Sequence, residues 1–183
     1  MAVLRLTMLA LIACNAAGAG PAPPAAGSGS ETGKPSEPPA APPGTLPGSP
    51  ASWKALPAIA RAVSAAVTAD GVAIDAADAW GDPALGCFAL RLAVHGGAAT
   101  TDALADQVLA GLAGKPGGLT FSELVKPAAN RDVLTFSFAR PPYHGRVRAQ
   151  LATGKLTALA CFANQREPAT CDATCTHLLQ GAP

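Results

Sequence analysis

Five cysteines and one basic segment opened by two prolines are the residues of this sequence whose types and spacing point to chemistry. A thiol acts as a nucleophile, a metal ligand or half of a disulfide, and its surroundings decide which. Cys171, Cys175 and His177 sit close together, but covalent haem attachment needs two residues between the cysteines and a His directly after the second. Three residues between ligands is not a common structural zinc spacing either, and on a helix residues 175 and 177 face different sides. With no Cys-x-x-Cys pair to carry redox work, no metal and no cofactor is expected. The basic segment is Arg140, Pro141, Pro142, Tyr143, His144, Gly145, Arg146, Val147 and Arg148. On a strand, Arg146 and Arg148 share a face and Val147 takes the other. With Tyr143 and His144 in the adjoining loop they form a small cationic and aromatic patch, suited to an anion, a glycan or a protein partner. The plainer reading is a solvated strand face beside a proline turn. Arg91, on the polar face of another strand, would extend the patch if the strands were neighbours.

Catalytic sets are missing from the pattern. Ser64, Ser122 and Ser137 have no His at a recognisable spacing and no nucleophile elbow. Asp75, Asp78 and Asp82 surround Trp80 in what reads as a loop, but without the alternating oxygens and closing Glu of a calcium site. Asp102 and Asp106 suit a helix N-terminus through its dipole. The expectation is a protein without enzymatic activity.

The first thirteen residues hold one charge, Arg5, followed by the apolar run Leu6 to Ala13. That run is too short to span a bilayer, which takes about 20 apolar residues, and has the length of an export signal core. Leu11, Ile12, Ala13 and Cys14 resemble the lipobox of bacterial lipoproteins at all four positions. The resemblance implies cleavage before Cys14, a diacylglycerol on its thiol and an acylated new N-terminus. Asn15 stands where an Asp would favour the inner membrane in enterobacterial-type lipoproteins, so the resemblance implies the outer membrane. Ala17, Gly18 and Ala19 offer an ordinary secretory cleavage site as the alternative.

Export into an oxidising compartment makes disulfides the default for the four remaining cysteines. Cys171 and Cys175, four apart on a helix, lie too far apart at Cβ to bond each other. Two pairings remain: Cys161–Cys171 with Cys87–Cys175, or Cys161–Cys175 with Cys87–Cys171. The short loop from the last strand into the helix favours the first.

Composition divides the chain of 183 residues, whose formal net charge is +1. That charge excludes a polybasic nucleic-acid binder. Ten of the 18 prolines fall between Pro21 and Pro50, and all eight aromatics lie beyond residue 51. Residues 14–50 lack the apolar residues to offset their ordering entropy and read as a disordered tether behind the 1–13 signal. Residues 51–183 read as one domain.

Within the domain, Leu56, Ile59, Val63 and Val67 predict a helix over 53–68, with Ser52 as its cap. Strands are predicted at 71–75 and 87–95, with a turn at Trp80, Gly81, Asp82 and Pro83. A second helix opens at Thr101 and stops at Gly114, Pro116, Gly117 and Gly118. Strands follow at 119–125, 133–139, 145–152 and 155–163, with Thr153 and Gly154 as a hairpin turn, and a last helix runs from Glu167 and Pro168 to about Gln180. This order predicts an α+β fold, a mostly antiparallel sheet with packed helices.

From residue 71 to 180 the element order, with Phe136, Ser137 and Phe138 leading into the hairpin arm at Gly145, resembles the PsbP-like α/β/α sandwich that includes the LpqN and DcrB lipoproteins. That resemblance implies a non-catalytic binding or assembly factor. The expectation is therefore an envelope lipoprotein, bound to the membrane through its lipid, with a protein or glycan partner and no nucleic acid. The alternatives are a disulfide-stapled enzyme inhibitor, using the loop between Cys161 and Cys171, and a hydrolase without a recognisable motif.

Overall fold

The computed structural model describes residues 44–69, 71–113, 119–125, 132–164 and 168–181. The signal, Cys14 and most of the tether lie outside these residues, as do the stop at 114–118 and Glu167. The elements are β1 (Lys54–Ala55), α1 (Pro57–Ala69), β2 (Ala73–Asp82), β3 (Cys87–His95), α2 (Thr101–Ala113), β4 (Thr120–Val125), β5 (Val133–Arg140), β6 (Tyr143–Ala152), β7 (Lys155–Asn164) and α3 (Pro168–Gly181). All seven strands join one antiparallel sheet in the order β1-β2-β3-β7-β6-β5-β4. The fold is α+β, as the sequence predicts. Among the described residues no helix is long and apolar enough to cross a membrane.

Both faces of the sheet are covered, because its central strands are apolar on both sides. Leu90 and Val94 of β3, with Leu156, Ala160 and Phe162 of β7, face a core closed by Val63 and Val67 of α1 and Leu104, Val108 and Leu112 of α2. The alternate residues, Cys87, Ala89, Leu159, Cys161 and Ala163, face a second cluster with Trp53, Trp80 and Leu46, closed by Cys171, Cys175 and Leu178 of α3. Helices on both faces give three layers.

The cysteines fall into two pairs at disulfide distance: Cys87 with Cys171, Cα atoms 5.5 Å apart, and Cys161 with Cys175, 5.3 Å apart. This is the pairing the sequence disfavours. Its reason is the register of β3 on β7, which places Cys87 opposite Ala163 and so two residues along from Cys161. Two strand residues span about 6.7 Å and four helix residues about 6 Å. Cys171 and Cys175 therefore match Cys87 and Cys161 in step, as two rungs.

Three local readings are corrected. Ser52 does not cap α1: Lys54 and Ala55 pair with Gly81 and Trp80 as an edge strand, which postpones the helix to Pro57. Proline suits that first helical position. Tyr143 and His144 belong to β6, not to a loop, and only Pro141 and Pro142, joined by a cis peptide bond, make the turn. Third, β2 runs on through Trp80, Gly81 and Asp82, paired with β3 as far as Asp82 opposite Cys87. The turn begins one residue later, where Asp82 Oδ1 accepts from the amides of Ala84 (3.0 Å) and Leu85 (3.3 Å). Asp78 is thus a strand residue bound to Arg91 at 2.6 Å, and the three aspartates do not gather in a loop.

Residues 44–50, read from the sequence as the end of the tether, pack against the α3 side of the domain. Leu46 is buried in the second cluster, and the Trp80 indole Nε1 donates to the Gly44 carbonyl at 2.8 Å. Trp80→Phe removes that bond at a cost of about 1 kcal/mol. Hydrogen exchange should then speed up at residues 46–49 first; unchanged exchange there would refute the clasp.

Candidate functional site

The helices α1 and α2 leave no strand exposed on their side of the sheet's centre, whereas α3 is one helix on a face seven strands wide. It lies over β7 and against the edge of β6, held by its two cysteines to Cys161 of β7 and to Cys87 at the start of β3, so most of β6, with β5 and β4, emerges beside it. A groove follows that edge in two adjoining lobes, of about 290 and 570 Å³. These sizes are of the order of small-molecule sites. Ser137 and Arg146 line both lobes.

Strand alternation decides which side chains enter it. On β6, Val147 and Ala149 are in the α1–α2 core, so His144, Arg146 and Arg148 face α3. The β5–β6 register sets Ser137 opposite Arg146 and Thr135 opposite Arg148, and Ser122 of β4 stands opposite Ser137. Across the groove, α3 supplies Asp172, Thr176, Leu179 and Gln180. Arg146 Nη1 reaches the Thr176 hydroxyl at 3.4 Å and Arg148 Nη1 donates to the Leu179 carbonyl at 3.1 Å. His144 Nε2 stands 3.7 Å from Asp172 Oδ1, with about half of the Asp172 side chain exposed (56%).

The five residues predicted as one patch are divided. His144, Arg146 and Arg148 share the groove. Arg140 and Tyr143, opposite each other in register, belong to the other face. There Tyr143 packs edge-on against Phe162 at 6.2 Å and Phe88 at 6.4 Å, in the aromatic cluster. Arg91 lies on the groove's face, but Leu159 separates it from Arg148 in the same cross-strand row. It is occupied by Asp78 and by the Trp80 ring, 5.4 Å below its guanidinium, so it does not extend the patch.

Sequence reading missed the hydroxyls as a set. Ser122 and Ser137 were testable there only as nucleophiles, while Thr120, Thr135 and Thr176 carry no motif. The signal that would have found Thr135 and Ser137 is the two-residue turn at Pro141 and Pro142. It fixes the register and so the facing of hydroxyls and arginines.

Ser122, Ser137, His144 and Asp172 line one lobe together. At 3.7 Å the Asp172 carboxylate stands within ion-pair range of the His144 imidazole and beyond a direct hydrogen bond. Among the described residues no three His, Cys, Asp or Glu side chains gather as metal ligands. What the arrangement offers is directional donors and positive charge around a concave surface. No family model and no curated protein matches this sequence.

Proposed function

We propose that this chain is a bacterial envelope lipoprotein, anchored through Cys14, whose α+β domain binds a partner or ligand without catalysis in the groove between α3 and β4–β6. The observation that carries the binding reading is the placement of Arg146 and Arg148 on one groove wall with no carboxylate among the described side chains in ion-pair distance of either. On the same face Arg91 has Asp78, whereas among the described residues Arg146 and Arg148 meet only a neutral hydroxyl and a carbonyl. Arg148 is half-buried and Arg146 exposed; a half-buried charge without a counter-charge disfavours the free state, and the exposed one beside it adds to the attraction for an anionic visitor.

The anchor reading rests on the lipobox resemblance and on the cysteine pairs, which suit an oxidising compartment. The helix–sheet–helix layering supports the resemblance to the PsbP-like sandwich. In the inhibitor alternative the staple changes partner: the loop from Cys161 to Cys171 lies inside the segment that the Cys161–Cys175 pair closes, 14 residues apart, with Cys171 held to Cys87.

Two measurements test the proposal. Cys14→Ala should move the protein from carbonate-washed membranes to the soluble fraction, and retention in the membranes would end the lipid-anchor reading. A photocrosslinker at Thr176, in the native envelope, should give a discrete adduct that a crosslinker at the exposed Arg61 of α1 does not. Identical adducts at both positions would remove the groove from the account.

A further inference from the structure

We propose that the ligand of this groove carries a phosphoryl group, held between the guanidiniums of Arg146 and Arg148. The inference rests on the binding reading above and deepens it.

Among the described residues the larger lobe is lined by both arginines, four neutral hydrogen-bonding side chains (Thr135, Ser137, Thr176 and Gln180) and no acidic residue. Asp172 lines the other lobe and faces His144. The charge that the described residues bring to the larger lobe is therefore positive. Arg148 is tied by one Nη1 to the Leu179 carbonyl, and its Nε is buried without a hydrogen-bond partner. The Arg146 contact to Thr176 is long, at 3.4 Å, and goes to a neutral hydroxyl. The exposed Arg146 guanidinium thus keeps weakly used donors, and Arg148 keeps a charge that one neutral carbonyl satisfies only in part.

The number and arrangement of donors select the anion. A carboxylate is satisfied by a single guanidinium fork and brings one negative charge. Two guanidiniums two residues apart on one strand, with cross-strand hydroxyls opposite each, surround a point with two positive charges and donors from several directions. A phosphate monoester, with up to two charges and three acceptor oxygens, uses that set in full. Leu179 on the α3 side gives the remainder of the ligand an apolar neighbour.

The same group can arrive as a soluble phosphomonoester or as a lipid headgroup, and the test separates them. The full chain carrying Cys14→Ala, to keep it free of its own lipid, is titrated calorimetrically with inorganic phosphate, succinate and chloride at constant ionic strength. Phosphate should bind saturably and more tightly than succinate. Arg146→Gln, at an exposed position, should weaken it by about tenfold or more, as loss of a charge-assisted bond does. Adding Arg148→Gln should abolish it. Absence of saturable phosphate binding, equal binding of succinate, or full affinity in Arg146→Gln would each overturn the assignment. In a second arm, flotation with phosphatidylcholine vesicles containing phosphatidic acid, against phosphatidylcholine alone, assigns a lipid source if it depends on Arg146, and a soluble source if no vesicle binds while free phosphate does. The crosslink at Thr176 keeps the two readings apart: an adduct without phosphate binding leaves the groove a binding site and removes only the phosphoryl ligand.

Discussion

Replacing Cys87 and Cys171 together by alanine is expected to lower the melting temperature by on the order of 15 °C and to undock α3. The loop closed by that pair spans a sequence separation of 84 residues. On the chain-entropy model a loop of this length contributes about 4.5 kcal/mol, and a domain of this size shifts by roughly 3–4 °C per kcal/mol. The second pair, 14 residues apart, is worth about 3 kcal/mol on the same model, and the loops overlap, so the two effects do not add. The stronger reason to expect undocking is the composition of α3. Among its described side chains the buried ones are Cys171, Cys175 and Leu178, with Leu179 partly buried against the same cluster, so two of the three buried anchors are the cysteines themselves. A 14-residue helix with three threonines and little apolar surface is marginal alone. Without the bonds, Leu178 and the partly buried Leu179 are the main apolar contacts left to hold it. Hydrogen exchange across residues 170–180 should then approach that of an unfolded segment, while α1, α2 and the central strands stay protected. Because α3 forms one wall of the groove, phosphate binding should fall with it. A melting point within about 2 °C of the parent, with α3 still protected, would show that packing and not the covalent rungs holds the helix.

How far the sequence carries to this point depends on the kind of information each feature needs. Strands β3, β5 and β7 were readable because Phe88, Leu90, Leu92 and Val94, or Phe136 and Phe138, alternate against smaller or polar neighbours. The helix α2 was readable because Leu104, Val108 and Leu112 recur at helical spacing after Thr101. β2 was not, because Ala76, Ala77, Asp78 and Ala79 have neither alternation nor β-branched bulk, and Gly81 imitates a turn. What holds that stretch extended is pairing with β3, a contact between segments. The facing of Arg146 and Arg148 followed from periodicity alone. Which face they joined, and that Tyr143 and Arg140 would leave them, depended on β6 beginning at Tyr143. The cysteine pairing failed for the same reason: it is set by the register of β3 on β7, to which no single segment testifies. Local period was legible, and register between distant strands was not. The site is made almost wholly of register.

Gly145 tests that dependence most severely. It sits on β6 between His144 and Arg146, opposite Phe138 on one side and Phe162 on the other. A Cβ there would lie 2.5 Å from the Cys161 carbonyl oxygen and 2.8 Å from the Phe162 Cα, both backbone atoms, as well as 2.5 Å from the Phe162 Cβ. The rings of Phe88 and Phe162, stacked at 5.3 Å, close the same side of the sheet. Gly81 has the same relation to Cys87 and Phe88 on the far side of β3, so the aromatic cluster is seated over two strands that each omit a side chain beneath it. Glycine inside a strand has this use, the close approach of backbone or ring. Gly145→Ala must therefore push β6 from β7, at a cost of about 3 kcal/mol, near the upper end for overpacking, and roughly 10 °C of melting temperature. Gly181→Ala, where nothing lies within 4 Å, is the control and should fall within about 0.5 kcal/mol of the parent. Because the conflict is with backbone atoms, trimming the ring in Gly145→Ala/Phe162→Ala should not restore stability; restoration would mean that the ring alone forbids the methyl. The displacement also reaches the other face, since pushing β6 away from β7 carries Arg146 and His144 away from Thr176 and Asp172. Phosphate affinity should therefore drop in Gly145→Ala even at temperatures where the domain remains folded.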